Sequence, residues 1–165
     1  MKKALLLALI TLFLTSCGSS RKTTETQVIG TTTTVASSKR IHKVVQHAKS
    51  FTGTRYKFGG TDHRGMDCSG LVYVSFKEEN IALPRISREM ATKGIRLKLS
   101  ETEKGDLVFF RTNKNRKTIN HVGLVVENKR GNIRFIHSTS SRGVIVSSLD
   151  EKYWKNAFVE VRRVI

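Results

Sequence analysis

The sequence contains very little cysteine. Its 165 residues include only two cysteines, Cys17 and Cys68. Two cysteines cannot build a disulfide framework, and no Cys-x-x-Cys pair is available to hold a metal. The sequence therefore excludes a fold held together by several disulfides, and each thiol has to be explained individually.

Long hydrophobic runs are also missing. The longest covers residues 4–14, about eleven residues, whereas a membrane-spanning helix needs about twenty. Lys2 and Lys3 precede this run and Thr15-Ser16-Cys17 follows it, a pattern typical of a secretory signal peptide. A buried core helix is the alternative, but the two lysines and the polar tract that follows argue against it. We therefore predict a signal peptide at residues 1–16.

The predicted cleavage site has a second meaning. Leu14-Thr15-Ser16-Cys17 resembles the bacterial lipobox, whose cysteine is lipid-modified and becomes the mature N-terminus. Gly18 follows in place of the aspartate associated with inner-membrane retention, which favours the periplasmic face of the outer membrane. If Cys17 carries lipid, Cys68 has no partner in an oxidising compartment. It is then either paired with another chain or kept for its reactivity.

Acidic residues are scarce. The chain has 30 lysines and arginines against 13 aspartates and glutamates, and removing residues 1–16 leaves a formal charge of about +15. Such a charge suits polyanionic surroundings, such as anionic lipid or acidic cell-wall polymer. Export argues against nucleic acid as a partner. A solvated basic surface without any specific anion site explains the charge equally well.

The first part of the exported chain has the composition of a linker. Residues 18–38 are rich in serine and threonine and contain few large apolar side chains. Such a segment cannot bury enough surface to offset its loss of conformational entropy. We therefore predict a flexible tether at residues 17–38 and one folded domain at residues 39–165.

Within the domain, the periodicity changes from helical to extended. Apolar residues recur at helical spacing over 41–51, with Ser37 or Ser38 as N-cap and Gly53 at the end. The stretch after Cys68 fits a helix or a strand, and its length without a turn signal favours a helix. Short β-branched or aromatic segments follow, separated by polar turns. The predicted strands are 107–110, 121–127, 132–137, 144–147 and 158–164, with a helical turn within 149–156. Helices followed by an antiparallel sheet predict an α+β fold.

Cys68 lies where the second predicted helix begins. A thiol attacks as its thiolate, and free cysteine titrates near about pH 8.5. The unpaired N–H groups of a helix N-terminus favour negative charge, and an adjacent imidazole can take the proton. Cys68 is therefore a candidate nucleophile that needs a base.

Two histidines on neighbouring predicted strands are the candidate bases. If residues 129–131 form a three-residue hairpin loop, the residues on either side of that loop pair with each other. His137 then lies opposite Gly123, and His121 lies on the same face of the sheet. Because glycine has no side chain, the two imidazoles can approach. A four-residue loop would place them on opposite faces, as two unrelated histidines.

Five motifs follow one another along the domain: Tyr56-Lys57-Phe58-Gly59-Gly60, Asp67-Cys68-Ser69-Gly70-Leu71-Val72, Leu83-Pro84-Arg85, Gly105-Asp106-Leu107-Val108-Phe109-Phe110 and His121-Val122-Gly123-Leu124. In this order they resemble the NlpC-type cell-wall peptidases. The lipobox and the C-terminal tail, Tyr153-Trp154-Lys155 with Arg162-Arg163-Val164, are similar to the Spr-like (MepS-like) murein endopeptidase lipoproteins of that family.

The resemblance implies a papain-like fold with a Cys–His–His site. Cys68 would be the nucleophile and His121 the general base and acid, while His137 would orient His121. The hydroxyl of Tyr56 would face the thiol and help to bind the oxyanion together with the Cys68 backbone N–H.

Three further residues match motif positions of the family. Asp67 and Ser69 match positions that line the substrate cleft. Arg85 matches a motif arginine, which either binds a substrate carboxylate or holds loop structure.

The function implied is a lipid-anchored peptidoglycan endopeptidase acting as a monomer, without cofactor or metal. The bond cleaved is either the D,D cross-link or the D-glutamyl–diaminopimelate link. Two alternatives stay open: a non-catalytic envelope lipoprotein that binds the cell wall, and an acyltransferase that uses the same Cys–His site.

Overall fold

The computed structural model describes residues 26–113 and 117–165, so the predicted signal peptide and Cys17 lie outside the described residues. The helices are α1 Thr26–Ser50, α2 Cys68–Lys77, α3 Ser87–Met90 and α4 Lys152–Ala157, with a 3-10 turn at Leu99–Glu101. The strands are β1 Thr61–Asp62, β2 Gly65–Met66, β3 Ile95–Leu97, β4 Leu107–Phe110, β5 His121–Lys129, β6 Asn132–Thr139, β7 Gly143–Ser148 and β8 Phe158–Arg163.

Six of these strands form one antiparallel sheet in the order β3-β8-β4-β5-β6-β7, and β1 and β2 form a separate hairpin. Side chains alternate between its two faces, as in β4, where Leu107 and Phe109 join one core and Val108 and Phe110 the other. α1 and α2 cover the first face, and Trp154 of α4 packs on the second. The α+β prediction is confirmed.

α1 begins earlier than the sequence predicts. It starts at Thr26, so the prediction of an N-cap at Ser37 or Ser38 is wrong, as is the prediction of coil for residues 26–38. Among residues 34–50 of α1, the fully buried side chains begin at Val44. Once that part is packed, each added residue gains a backbone hydrogen bond at little cost, and no proline interrupts the segment.

The predicted strands from residue 107 onward are all present, and their ends differ from the prediction by at most two residues. β1, β2 and β3 are absent from the prediction. They are two or three residues long, which is too short to show an alternating pattern.

The β5–β6 hairpin has a different turn from the predicted one. Lys129 pairs with Asn132, so the turn has two residues, Arg130 and Gly131, both with positive φ (54° and 90°). A two-residue turn of this kind matches the twist of the strands on either side. The prediction of a three-residue loop is therefore wrong.

A bulge restores the predicted pairing further along the hairpin. The register shifts between Val125 and Glu127, so that Leu124 pairs with Ile136. Continued by one residue, this register places His137 opposite Gly123, as predicted. The missing side chain of Gly123 makes room for the Phe135 ring, which a Cβ there would contact.

Candidate active site

Cys68 is the first residue of α2 and is 9% exposed. The preceding residue, Asp67, is in extended conformation and caps the helix, because its Oδ1 accepts a hydrogen bond from the Gly70 N–H (2.6 Å). A Cβ at Gly70 would meet the carbonyl oxygen of Gly60. The Asp-Cys-Ser-Gly motif therefore supplies the cap, the thiol and a close backbone approach.

The thiol of Cys68 is protonated in the resting site. Burial raises its pKa to about 11. Backbone hydrogen bonds at Val122, Ser69 and Cys68 itself act in the opposite direction, while the charge of Asp67 adds to the rise. The expected lowering of the pKa by the helix N-terminus is therefore outweighed by burial.

His121 and His137 contact each other directly. Nε2 of His121 lies 2.9 Å from Nδ1 of His137, a hydrogen-bond distance. The prediction that the hairpin brings these two imidazoles together is confirmed. Since Nε2 of His121 is used in this bond, its Nδ1 is the nitrogen left to accept a proton from a thiol.

Both imidazoles are neutral near pH 7. Burial lowers the pKa of His121 to about 4, against a smaller opposing effect of Asp67. Burial lowers the pKa of His137 to about 2, helped by the charges of His121 and Arg142. Nε2 of His137 is buried without a hydrogen-bond partner among the described residues.

Two cavities meet at the thiol. One, of about 390 Å³, is lined by His121, Arg142 and Trp154 among others. The other, of about 670 Å³, is lined by residues that include Asp67, Ser69 and Arg85. Cys68 and Tyr56 line both. An extended chain that lies across both cavities would pass the thiol.

Tyr56 lines both cavities together with Cys68, so its hydroxyl is available to donate a hydrogen bond there. Burial raises the pKa of its hydroxyl, and the charges of Cys68 and Asp67 raise it further. The phenol therefore stays protonated and can donate a hydrogen bond to an oxygen near Cys68.

Arg85 is held by the loop before α2. Its Nη1 donates to Asp67 Oδ1 (3.0 Å) and to Ser69 Oγ (2.9 Å), and its Nη2 donates to Asp67 Oδ2 (3.0 Å) and to the Gly60 carbonyl (3.2 Å). Burial opposes ionisation of Asp67. Even so, hydrogen bonds from Arg85 and from the amides of Gly70 and Gly59 hold its pKa below the usual value. The guanidinium thus supplies hydrogen bonds to a buried carboxylate.

The structure brings together every predicted site residue that it describes. Those seven are Tyr56, Asp67, Cys68, Ser69, Arg85, His121 and His137. Sequence reasoning missed the position of Trp154, the only tryptophan, although it belongs to a quoted motif. Within residues 26–113 and 117–165, no group of three or more His, Cys, Asp or Glu side chains could hold a metal ion.

Comparison with curated proteins finds close relatives. The chain is 44% identical over 116 residues to the probable endopeptidase NlpC homolog of Haemophilus influenzae. The aligned region covers 70% of this chain and 58% of that protein. It is 38% identical over 124 residues to the murein DD-endopeptidase MepS/murein LD-carboxypeptidase of Escherichia coli, covering 74% of this chain and 62% of the relative. The chain thus spans about three fifths of the length of these relatives.

Solved structures agree with the fold. A NlpC/P60 family protein from Bacillus cereus superposes with a TM-score of 0.68 at 26% identity, over 75% of this chain and 40% of the other. The sequence pattern of the NlpC/P60 family matches residues 53–163, which include all seven site residues. The chain therefore belongs to the NlpC/P60 family.

Proposed function

We propose that this protein is a cysteine peptidase that hydrolyses amide bonds in the peptide stems or cross-links of peptidoglycan. The observation that carries the proposal is the arrangement of Cys68 and His121 around one cavity, with His121 bonded to His137. Relatives named as murein endopeptidases support the substrate class.

The reaction begins with a proton transfer. Because the thiol is protonated at rest, Nδ1 of His121 takes the proton of Cys68 Sγ as the sulfur attacks the carbonyl carbon. The carbonyl oxygen becomes an oxyanion, which the Tyr56 hydroxyl and the Cys68 backbone N–H stabilise. The imidazolium of His121 then gives its proton to the leaving amine, and a thioester remains on Cys68.

Water completes the cycle. His121, neutral again, takes a proton from a water molecule that attacks the thioester carbonyl. The carboxylic acid product leaves, and the thiolate regains the proton from His121. Throughout, His137 accepts a hydrogen bond from Nε2–H of His121, which keeps Nδ1 of His121 free to act as the base.

The surroundings of the thiol suit an extended peptide. The cavities on either side of Cys68 give room for residues before and after the scissile bond. The basic charge of the chain fits a polymer whose stems carry free carboxylates. The relatives named as murein DD-endopeptidases favour the D,D cross-link over the D-glutamyl–diaminopimelate link.

We further propose that lipid on Cys17 holds the protein in the cell envelope, at the periplasmic face of the outer membrane. No helix in the described part of the chain has the length and hydrophobicity to cross a bilayer. Replacing Cys17 with serine should release the protein from membranes while leaving turnover of soluble muropeptides unchanged. Continued membrane association in high salt, which screens basic charge, would contradict lipid anchoring.

Mass spectrometry of products from purified peptidoglycan tests the activity. Hydrolysis predicts two peptides whose masses add to the substrate plus one water, and the fragments identify the bond. An acyltransferase would instead join the acyl fragment to an added amine or lipid. Peptidoglycan that binds the protein but stays intact would support the non-catalytic alternative.

A further inference from the structure

Trp154 contacts both histidines of the candidate site. Its indole stacks on His121, with ring centroids 5.2 Å apart and planes at 22°. It packs edge to face with His137, with ring centroids 4.5 Å apart and planes at 83°. The side chain is only 5% exposed, and it reaches the site from α4, on the far side of the sheet from α2.

Two phenylalanines complete an aromatic enclosure around the His121–His137 bond. Phe110 lies 5.9 Å from His121 and Phe135 lies 4.7 Å from His137, measured between ring centroids. Trp154 contacts both phenylalanines, at 5.0 Å and 5.5 Å. Of the three enclosing rings, Trp154 is the one that lines the cavity at the thiol.

We propose that Trp154 is a positioning residue for the peptidase reaction: its indole fixes the ring plane of His121 and separates the His121–His137 hydrogen bond from water in the cavity. This inference rests on the proposed function, because it assigns Trp154 a role through the base. No contact between Trp154 and the reacting atoms is required.

The indole and the hydrogen bond constrain His121 in different ways. The bond to His137 fixes the direction of Nε2 but leaves the ring able to turn about that direction. A stacked indole removes this freedom, which keeps Nδ1 aimed at the thiol. Misplacement of a reacting group by about 1 Å can cost about 100-fold in rate.

Exclusion of water is the second part of the role. Hydrogen bonds between polar groups are stronger where the dielectric constant is low. Water beside His121 would compete with His137 for Nε2 and would favour the charged imidazole at rest. When the imidazolium forms during the reaction, the face of the indole still attracts it.

Removal of the Trp154 indole should change the pKa of His121 in one direction. Burial holds the pKa of His121 at about 4, so removing the indole and admitting water should raise it toward about 6.5. The acidic limb of the kcat/KM profile, which requires neutral His121, should then move to higher pH. The titratable and charged groups around His121 are Cys68, Asp67, Tyr56, His137, Arg142, Glu151 and Tyr153.

The test compares Trp154→Ala and Trp154→Phe in the full chain, with a muropeptide as substrate. Trp154→Ala should lower kcat about tenfold or more with little change in KM, and should raise the midpoint of the acidic limb by about one pH unit or more. Trp154→Phe keeps a flat ring and should stay close to wild type in both respects. Alkylation of Cys68 by iodoacetamide over the same pH range should show the same displacement.

Phe158→Leu is the matched control. Phe158 belongs to the same aromatic cluster, contacting Phe110 at 6.3 Å, but it lies outside the cavity, and its ring does not contact His121 or His137. The Phe158→Leu variant should have a lower Tm but the same midpoint of the acidic limb as the wild type. An unchanged limb in a folded Trp154→Ala would overturn the inference.

A further pair of variants applies if Trp154→Ala does not fold. Trp154→Leu keeps apolar bulk without a flat ring, so it should lower kcat while Trp154→Phe does not. If Trp154→Leu and Trp154→Phe had the same kcat and the same midpoint of the acidic limb, the inference would be overturned. Activity that survives in Cys68→Ala would instead reject the peptidase mechanism itself, so the two failures are distinguishable.

Discussion

At the scale of single residues, opposing effects act on the thiol of Cys68. Its position at the start of α2 and its backbone hydrogen bonds favour the thiolate, but burial and the charge of Asp67 raise its pKa to about 11. His121, with a pKa of about 4, is neutral. Between these values the resting pair is a thiol beside a free base. Reactivity at neutral pH therefore depends on proton transfer to His121 during attack.

The two histidines should respond differently to substitution. His121→Ala removes the base and the acid for the leaving amine, so kcat/KM should fall by about 100- to 10,000-fold. His137→Asn retains a carbonyl oxygen that can accept from Nε2–H of His121, so most activity should remain. His137→Ala retains no acceptor and should lie between the other two. Steady-state kinetics on one muropeptide, with Tm measured for each variant, gives the comparison.

The reverse order would contradict this division of roles. If His121→Ala kept activity while His137→Asn lost it, His137 would be the base. The observed bond between Nε2 of His121 and Nδ1 of His137 would then serve to orient His137.

Cys68, His121 and His137 follow from the chemistry and spacing of the residues. The other four site residues come from the resemblance to the NlpC-type peptidases: Tyr56, Asp67, Ser69 and Arg85. One thiol remained after Cys17 was assigned to lipid, and the hairpin register placed two histidines together. The protonation state of Cys68 was not predictable. It depends on burial by residues distant in sequence, which neither spacing nor composition shows.

At the scale of elements, the loop before α2 and the residue Arg85 form one unit. Arg85 pairs with both oxygens of Asp67 and also bonds Ser69 and the Gly60 carbonyl. Asp67 in turn caps α2, at whose first residue the thiol lies. These contacts favour the structural role for Arg85 over binding of a substrate carboxylate.

Arg85→Lys should separate these two roles. Lysine keeps the positive charge but cannot make the paired hydrogen bonds to Asp67 and reach Gly60 as well. The structural role predicts a free energy of unfolding lower by about 1–2 kcal/mol, with KM nearly unchanged. Urea denaturation and muropeptide kinetics measure the two quantities. An unchanged stability with a large rise in KM would show that Arg85 binds substrate.

In the β5–β6 hairpin, the strand pairing near the histidines matches the prediction, but the turn does not. The turn sequence Arg130-Gly131 forms a two-residue turn where a three-residue loop was expected. The bulge between Val125 and Glu127 offsets this difference by one residue, so the histidines still meet. A bulge inside an apolar strand leaves no clear signal in the alternation, because the residues there are buried on both faces of the sheet.

At the scale of the whole molecule, the sheet carries α1 and α2 on one face and the aromatic cluster, with Trp154 of α4, on the other. The α+β class follows from the change of periodicity along the chain, whereas the arrangement of the two faces does not. Two features did not follow from sequence: the extension of α1 to Thr26, and the placement of Trp154 against the histidines. The placement of Trp154 depends on packing between segments far apart in the chain, and the extension of α1 depends on propagation from its packed C-terminal part.

Burial of two neutral histidines makes the fold sensitive to acid. The folded pKa values of His121 (about 4) and His137 (about 2) lie below that of about 6.5 for an unfolded histidine. Between these values the unfolded chain binds more protons, so stability falls as the pH falls below about 6.5. The slope is up to about 1.4 kcal/mol per pH unit for each histidine.

Asp67 does not cause the loss of stability between pH 7 and pH 5. Its pKa is held below 3.8, so its contribution to stability is present above about pH 4 and is lost only below it. Urea denaturation at pH 7 and pH 5 should therefore show a large loss in wild type. The double variant His121→Asn/His137→Asn should show a smaller loss. Equal losses in both proteins would mean that these histidines are not kept neutral by the fold.

The central claim is that Cys68 is the nucleophile of a peptidoglycan peptidase. The most direct test is the rate of muropeptide hydrolysis by Cys68→Ala beside wild type, with products followed by mass spectrometry and Tm measured for both. We predict that the alanine variant folds normally and forms no product above the uncatalysed rate, because no other described side chain at the meeting point of the two cavities can replace the thiolate. Hydrolysis by folded Cys68→Ala at a rate close to wild type would contradict the account.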